Sequence, residues 1–170
     1  MVPDSPALWP RPSGPARGRR AVHYPWLGPG WKAASLSVHF VVPYYVPPHY
    51  LFELIASVRA QTRDGWLLTI VDDQYPGTEA EDYIAKLGDP RIDYVRNERN
   101  LGATDNVCRS MTLGRLEYIT VMGADDALEP CYVQVVLDAF ERHPDAIMVH
   151  PGVTVVDSDG KPTDSLSTIA

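Results

Sequence analysis

The sequence predicts an α/β protein built on a mainly parallel sheet, and three observations lead there. Short β-type apolar runs alternate with stretches of helical periodicity, the pattern of strands joined by helical crossovers. The first run, Leu36-Ser37-Val38-His39-Phe40-Val41-Val42, is nearly continuous in β-branched and aromatic residues, as suits a central strand covered on both faces. Two later runs end abruptly in paired carboxylates, Asp72-Asp73 and Asp125-Asp126, so both aim charge at the sheet edge where α/β folds bind ligands.

The elements follow in order. The strand at 36–42 stops at Pro43. Pro47 and Pro48 then open a helix whose Leu51, Leu54, Ile55 and Val58 fall at i, i+3, i+4 and i+7, one buried stripe reaching Ala60. His49 and Glu53 sit one turn apart on it, a spacing met more often in solvated contacts than in metal sites. A second strand, 66–71, runs into Asp72-Asp73 and the turn Gln74-Tyr75-Pro76-Gly77. The next helix is capped near Thr78, with Glu79 and Glu81 placed where its dipole favours them. A third strand at 92–95 precedes Asn97-Glu98-Arg99-Asn100-Leu101-Gly102 and a helix over 103–113. The fourth run, Tyr118-Ile119-Thr120-Val121-Met122, reads as a buried strand ending at Gly123 and the second acidic pair. Pro130 opens a helix with the stripe Val133, Val136, Leu137 and Phe140. A fifth strand is expected at 146–149, then Val153 to Val156 and the turn Asp157-Ser158-Asp159-Gly160.

A chain of 170 residues has room for one full core, and 45% apolar residues is ordinary for a globular domain. The net charge of −7 argues against nucleic acid as a partner, which demands clustered Lys and Arg. Cys108 and Cys131 lie in helical segments without metal-binding spacing, which points to reduced thiols and a cytoplasmic location. No apolar run reaches the roughly 18 residues of a membrane span. Residues 1–34 hold seven of the sixteen prolines and five of the fifteen Lys and Arg against one acid, Asp4. They read as a disordered basic leader that carries +4 and can touch an anionic membrane surface, leaving −11 on the remainder.

Adjacent carboxylates repel, so a strand end that holds two of them makes sense where a cation or hydrogen-bond donors occupy the site. Mg²⁺ or Mn²⁺ held by one or two protein carboxylates plus substrate phosphates fits such a pair. The alternative is that these residues only start turns and cap helices, since Asp73 precedes Pro76-Gly77 and Asp126 precedes Pro130.

Five motifs in fixed order carry a resemblance: Val41-Val42-Pro43-Tyr44-Tyr45, Ser57-Val58-Arg59-Ala60-Gln61-Thr62, Ile70-Val71-Asp72-Asp73, Asn100-Leu101-Gly102 and Met122-Gly123-Ala124-Asp125-Asp126. Together they resemble the family-2 glycosyltransferases of GT-A fold, a three-layer Rossmann-like sandwich. The resemblance places the nucleotide-sugar-binding domain at 35–165, with a tail at 166–170. It implies that Pro43 lends backbone and Tyr45 an aromatic face to the base, that Asp73 accepts a hydrogen bond from the base, and that Asn100 and Gly102 shape the adjoining loop. Asp125 would contact the ribose side, and Asp126 the Mn²⁺ or Mg²⁺ that bridges the diphosphate, as in a DxD-type motif. The implied reaction is metal-dependent inverting transfer from a nucleotide-diphosphate sugar to a hydroxyl of a glycan, lipid or other acceptor. The sequence departs from the family at Val46, where Asn is usual, and at Gln74-Tyr75-Pro76-Gly77-Thr78, which replaces a Gly-Ser-x-Asp continuation. It ends at Ala170, before the acceptor half that carries the catalytic base, so the expectation is a truncated transferase, weak or inactive alone. Asp157, Asp159 and Asp164 are carboxylates in that last stretch, and nothing marks one of them as the base.

Three other classes compete. A non-catalytic nucleotide-binding or interaction module would self-associate through an exposed sheet edge. A phosphoacceptor receiver would need a Lys after the last strand, where Val149-His150-Pro151 has none. A nicotinamide site would need Gly-x-Gly-x-x-Gly after the first strand, which is absent.

Overall fold

A computed structural model describes residues 38–157 and 160–163. The expected leader and tail, Leu36 and Ser37 of the first strand, and the candidates Asp159 and Asp164 lie outside the described residues. Eight elements follow one another: β1 (Val38–Tyr44), α1 (Pro48–Arg59), β2 (Trp66–Asp72), α2 (Glu79–Leu87), β3 (Ile92–Arg96), α3 (Ala103–Thr112), β4 (Tyr118–Val121) and α4 (Tyr132–Arg142). The four strands form one parallel sheet in the order β3-β2-β1-β4.

The pleat sends alternate residues of β1 and β2 to opposite layers. Val38, Phe40, Val42 and Tyr44, with Trp66, Leu68 and Ile70, pack against the stripe of α1, against Ala80 and Ile84 of α2, and against Val133 and Leu137 of α4. The other parity, His39 and Val41 of β1 with Thr69 and Val71 of β2, faces α3, whose Asn106 amide donates to the Val71 carbonyl at 3.1 Å. Because both faces are covered, every residue of β2 is buried, which accounts for an unbroken apolar run where alternation would mark a half-exposed strand. At the start of α2 the Thr78 hydroxyl donates to the Asp82 carboxylate at 3.0 Å instead of accepting from a backbone N–H, so the expected side-chain cap does not form.

Two further expectations are corrected. Among the described residues β4 is a sheet edge paired only with β1, and Ile119 and Val121 are exposed on it, so it is not a buried strand. Nor do residues 146–149 form a strand. Ile147 is fully exposed, Met148 nearly so, and the only pairing after α4 among the described residues is an isolated antiparallel bridge between Val156 and Pro162. An apolar run becomes a strand only when a neighbour supplies its hydrogen bonds, and none flanks this one.

Candidate functional site

The chain winds outward from β1 through β2 to β3, then returns across β1 to β4. That reversal puts a switch point between β1 and β4, and α/β sheets bind ligands in the crevice at the carboxyl end of such a point. Alternation of backbone direction settles what β1 offers there. Tyr44 accepts from Asp73 N–H on the β2 side, whereas Val41 accepts from Met122 N–H on the β4 side. Pro43 therefore turns its nitrogen and carbonyl toward β4, just past Val121 where β4 has ended. This explains how a proline sits in a central strand, because no ladder partner asks for its missing N–H. Tyr45 follows, with its ring half exposed.

In the turn after β4, Asp125 and Asp126 are exposed and folded back over Gly123. Gly123 N–H donates to Asp126 Oδ2 at 3.0 Å, and Asp126 N–H to the Gly123 carbonyl at 3.3 Å. A Cβ on Gly123 would stand 2.7 Å from Asp125 Oδ1 and 3.0 Å from Asp126 Oδ2, so the two carboxylates converge on this one small residue. Gly123→Ala is expected to leave the thermal midpoint within about 2 °C of wild type, because only side-chain tips must move.

The Ser57–Thr62 motif holds this loop. Ser57 Oγ accepts from Leu128 N–H at 3.0 Å, and Gln61 donates to the Glu129 carbonyl at 2.9 Å while accepting from Val133 N–H at 3.0 Å. Thr62 donates from both backbone and hydroxyl to the Pro130 carbonyl. The end of α1 thus clamps the stretch between Asp126 and α4. Gln61→Leu strands the buried Val133 amide and frees the Glu129 carbonyl, and is expected to cost about 2 kcal/mol in urea unfolding. A loss below about 0.5 kcal/mol would mean water replaces the clamp.

Asp72 and Asp73 close the end of β2 and are buried. Asp72 accepts from Tyr75 N–H at 2.7 Å and from the Tyr94 hydroxyl, with Arg96 at 3.3 Å. Burial, and then the Asp72 carboxylate, push Tyr94 ionisation above its ordinary value. Asp73 accepts from Leu101 N–H at 2.8 Å, Gly102 N–H at 2.9 Å and Asn97 Nδ2 at 2.7 Å. Asn100 completes the loop by donating to the Asp73 carbonyl and accepting from Gly102 N–H. Gly102 sits at φ +82, ψ 161, a region that only glycine occupies freely. Asp73, Asn100 and Gly102 are therefore joined in one network, Pro43 and Tyr45 stand at the end of β1 with the Tyr45 ring beside Tyr75, and Asp125 and Asp126 lie in the turn after β4.

Sequence reading missed Asn97 and Asn106, whose amides link Asp73 to α3, and Gln74, which takes φ +65 and donates to the Asn97 carbonyl. A polar residue directly after the acidic pair was the available signal for Gln74. For the buried Asn106 there was none.

A cleft of about 230 Å³ lies instead near the amino ends of the strands, lined by His39, Thr69, Asp93 and Arg115 among others. Its charges are matched, Arg115 with Asp93 at 2.9 Å and Arg91 with Asp89 at 2.8 Å. It lies on the α3 face, away from the acidic turn. No group of three or more His, Cys, Asp and Glu is placed to hold a metal among the described residues. The donor set present is two convergent exposed carboxylates, which suits a hard divalent ion completed by substrate phosphates better than a closed protein cage.

The family model described as glycosyl transferase family 2 matches residues 39–167, most of the chain. The chain belongs to glycosyl transferase family 2. It is 33% identical over 118 residues to the uncharacterized protein y4gI of Sinorhizobium fredii, covering 66% of this chain and 13% of that protein. It is 30% identical over 119 residues to the uncharacterized glycosyltransferase MJ1057 of Methanocaldococcus jannaschii, covering 69% of this chain and 41% of that one. The chain thus spans less than half the length of these relatives. Among solved structures, S. aureus TarS matches with TM-score 0.59 at 16% identity, over 64% of this chain and 33% of that one. The mannosyltransferase PcManGT of Pyrobaculum calidifontis, solved with GDP-Man and Mn²⁺, matches with TM-score 0.55 at 14% identity, over 69% and 33%. At such identities the likeness is one of fold, and it places this family-2 chain on the GT-A architecture.

Proposed function

We propose that the chain is the donor-binding part of a glycosyltransferase that moves a sugar from a nucleotide-diphosphate sugar to an acceptor hydroxyl with inversion. The observation that carries this reading is the pair of exposed carboxylates gathered over Gly123 at the β1–β4 switch point. Tyr45 stacks on the base and Pro43 offers its carbonyl. Asp73 has about four lone-pair sites, three of them taken internally, and the fourth accepts from the base. Asn100 and Gly102 hold the loop that borders the nucleotide. Asp125 faces the ribose side, and Asp126 ligates Mn²⁺ or Mg²⁺. When bound, that ion supplies charge neutralisation of the departing diphosphate. S. aureus TarS has been solved with UDP and with UDP-GlcNAc, which supports a nucleotide-sugar donor. Among the described residues, Asp157 is tied to Lys161 N–H at 2.9 Å within a turn and receives no catalytic role here.

Calorimetry of UDP and GDP with and without Mn²⁺ tests the proposal. The wild type should bind one of them in a metal-dependent way, and Asp126→Ala should weaken that binding about tenfold or more while leaving the fold intact, since the side chain is exposed. Binding that ignores Mn²⁺, or survives Asp126→Ala unchanged, removes the metal assignment.

One observation favours a second reading, an interaction module. Among the described residues β4 leaves its outer edge unpaired with Ile119 and Val121 exposed, an arrangement that invites strand addition by a second copy. Light scattering that shows dimers together with absent nucleotide binding would select it. No helix among the described residues is long and apolar enough to cross a membrane.

A further inference from the structure

The turn Gln74-Tyr75-Pro76-Gly77, which replaces the residues usual in the family, does more than change the chain's direction. Tyr75 is held by its backbone at both ends, with its N–H on Asp72 Oδ1 at 2.7 Å and its carbonyl accepting from Arg96 at 2.8 Å. Arg96 also reaches the Gly77 carbonyl at 2.9 Å, so one guanidinium fixes the turn twice. The Tyr75 ring, partly buried against the core, lies 5.4 Å from the ring of the buried Tyr44 and 5.6 Å edge-on from the ring of Tyr45. Three aromatic rings therefore run outward from the core to solvent, and the middle one is anchored to β2 and β3.

Tyr45 is half exposed, and Tyr75 is the ring it touches. An exposed tyrosine has several rotamers open to it, and ordering it when a ligand binds costs free energy. A rigid edge-on neighbour removes part of that cost beforehand. We propose that Tyr75 is a positioning residue that holds the Tyr45 ring ready to stack on the base of a nucleoside diphosphate. The inference rests on the donor-site reading above and assigns this chain's own turn a part in base recognition.

A double-mutant cycle on the 170-residue chain tests it, with UDP and GDP as probes in the presence of Mn²⁺. Tyr75→Leu should weaken binding about three- to tenfold, the scale of one aromatic pair. Tyr75→Phe, which keeps the ring, should retain wild-type affinity. In a Tyr45→Ser background, Tyr75→Leu should cost nothing further, because the ring it positions is gone. Additive losses, or a Tyr75→Leu variant that binds as wild type does, overturn the proposal. Should Tyr75→Leu fail to fold, Tyr75→Met carries the same cycle with more bulk against Tyr44. A wild type that binds neither nucleotide refutes the donor-site reading itself, and the inference with it. Failure of the cycle with wild-type binding intact refutes the inference alone.

Discussion

Replacing Asp73 by alanine is expected to lower the unfolding free energy by about 3–5 kcal/mol and the thermal midpoint by roughly 10 °C. The substitution removes a buried acceptor that takes Leu101 N–H, Gly102 N–H and Asn97 Nδ2 at once, stranding Leu101 N–H and leaving the other two only their bonds to Asn100 and Asn106. Hydrogen bonds to a charged group each contribute about 1.5–3 kcal/mol, and donors stranded in the interior pay their desolvation in full. The loop that ends in Gly102 has no other anchor of this strength, so proteolysis should open it between Asn97 and α3 before the sheet unfolds. Asp73→Asn keeps one oxygen as acceptor and should lose about half as much. Urea midpoints for wild type and the two variants decide the matter: if Asp73→Ala stays within about 1 kcal/mol of wild type, Asp73 does not hold this loop.

Acid is expected to weaken the protein by about 3 kcal/mol between pH 6.5 and 4 through one residue, His39. The ring is buried in β1, accepts from Arg115 N–H at Nδ1 (3.0 Å), and so carries its proton on Nε2, which donates to Thr69 Oγ1 at 2.9 Å. A second proton has no acceptor. Burial, and then the nearby Arg115 charge, push the imidazole down from 6.5 to about 4, and Asp93 offsets only part of this. Between those two values the unfolded chain holds the extra proton and the folded one does not, so stability declines as pH falls through the window and levels off below it. Asp89 acts in a separate range. Its hydrogen bond from Arg91 holds its carboxyl below 3.8, and that contribution is lost only on further acidification. Unfolding free energies at half-unit steps, compared between wild type and His39→Gln, check the assignment, since the variant should be flat from pH 6.5 to 4.5. Parallel slopes in the two proteins would place the acid sensitivity elsewhere.

These two residues show how differently parts of the molecule are written. Asp73 was legible as a member of an acidic pair at a strand end, because strand ends and charge can be read locally. Its three donors were not, since they come from a loop more than twenty residues on, and which loop closes over β2 depends on the sheet order. His39 looked like one polar residue in an apolar run, and only the arrival of Arg115 from the far side of α3 explains why it is tolerated there.

The sequence by itself determined the alternation of strands and helices, the stripe of α1, the burial of β1 on both faces and the placing of two carboxylate pairs at one end of the sheet. Each of these depends on the periodicity or chemistry of a few neighbouring residues. The tertiary structure alone decided that β4 lies at the edge, that residues 146–149 stay irregular, and that Asp73 faces inward while Asp125 and Asp126 face out. Those outcomes turn on which distant segments meet, and hydrogen-bond partners and burial are properties of the meeting.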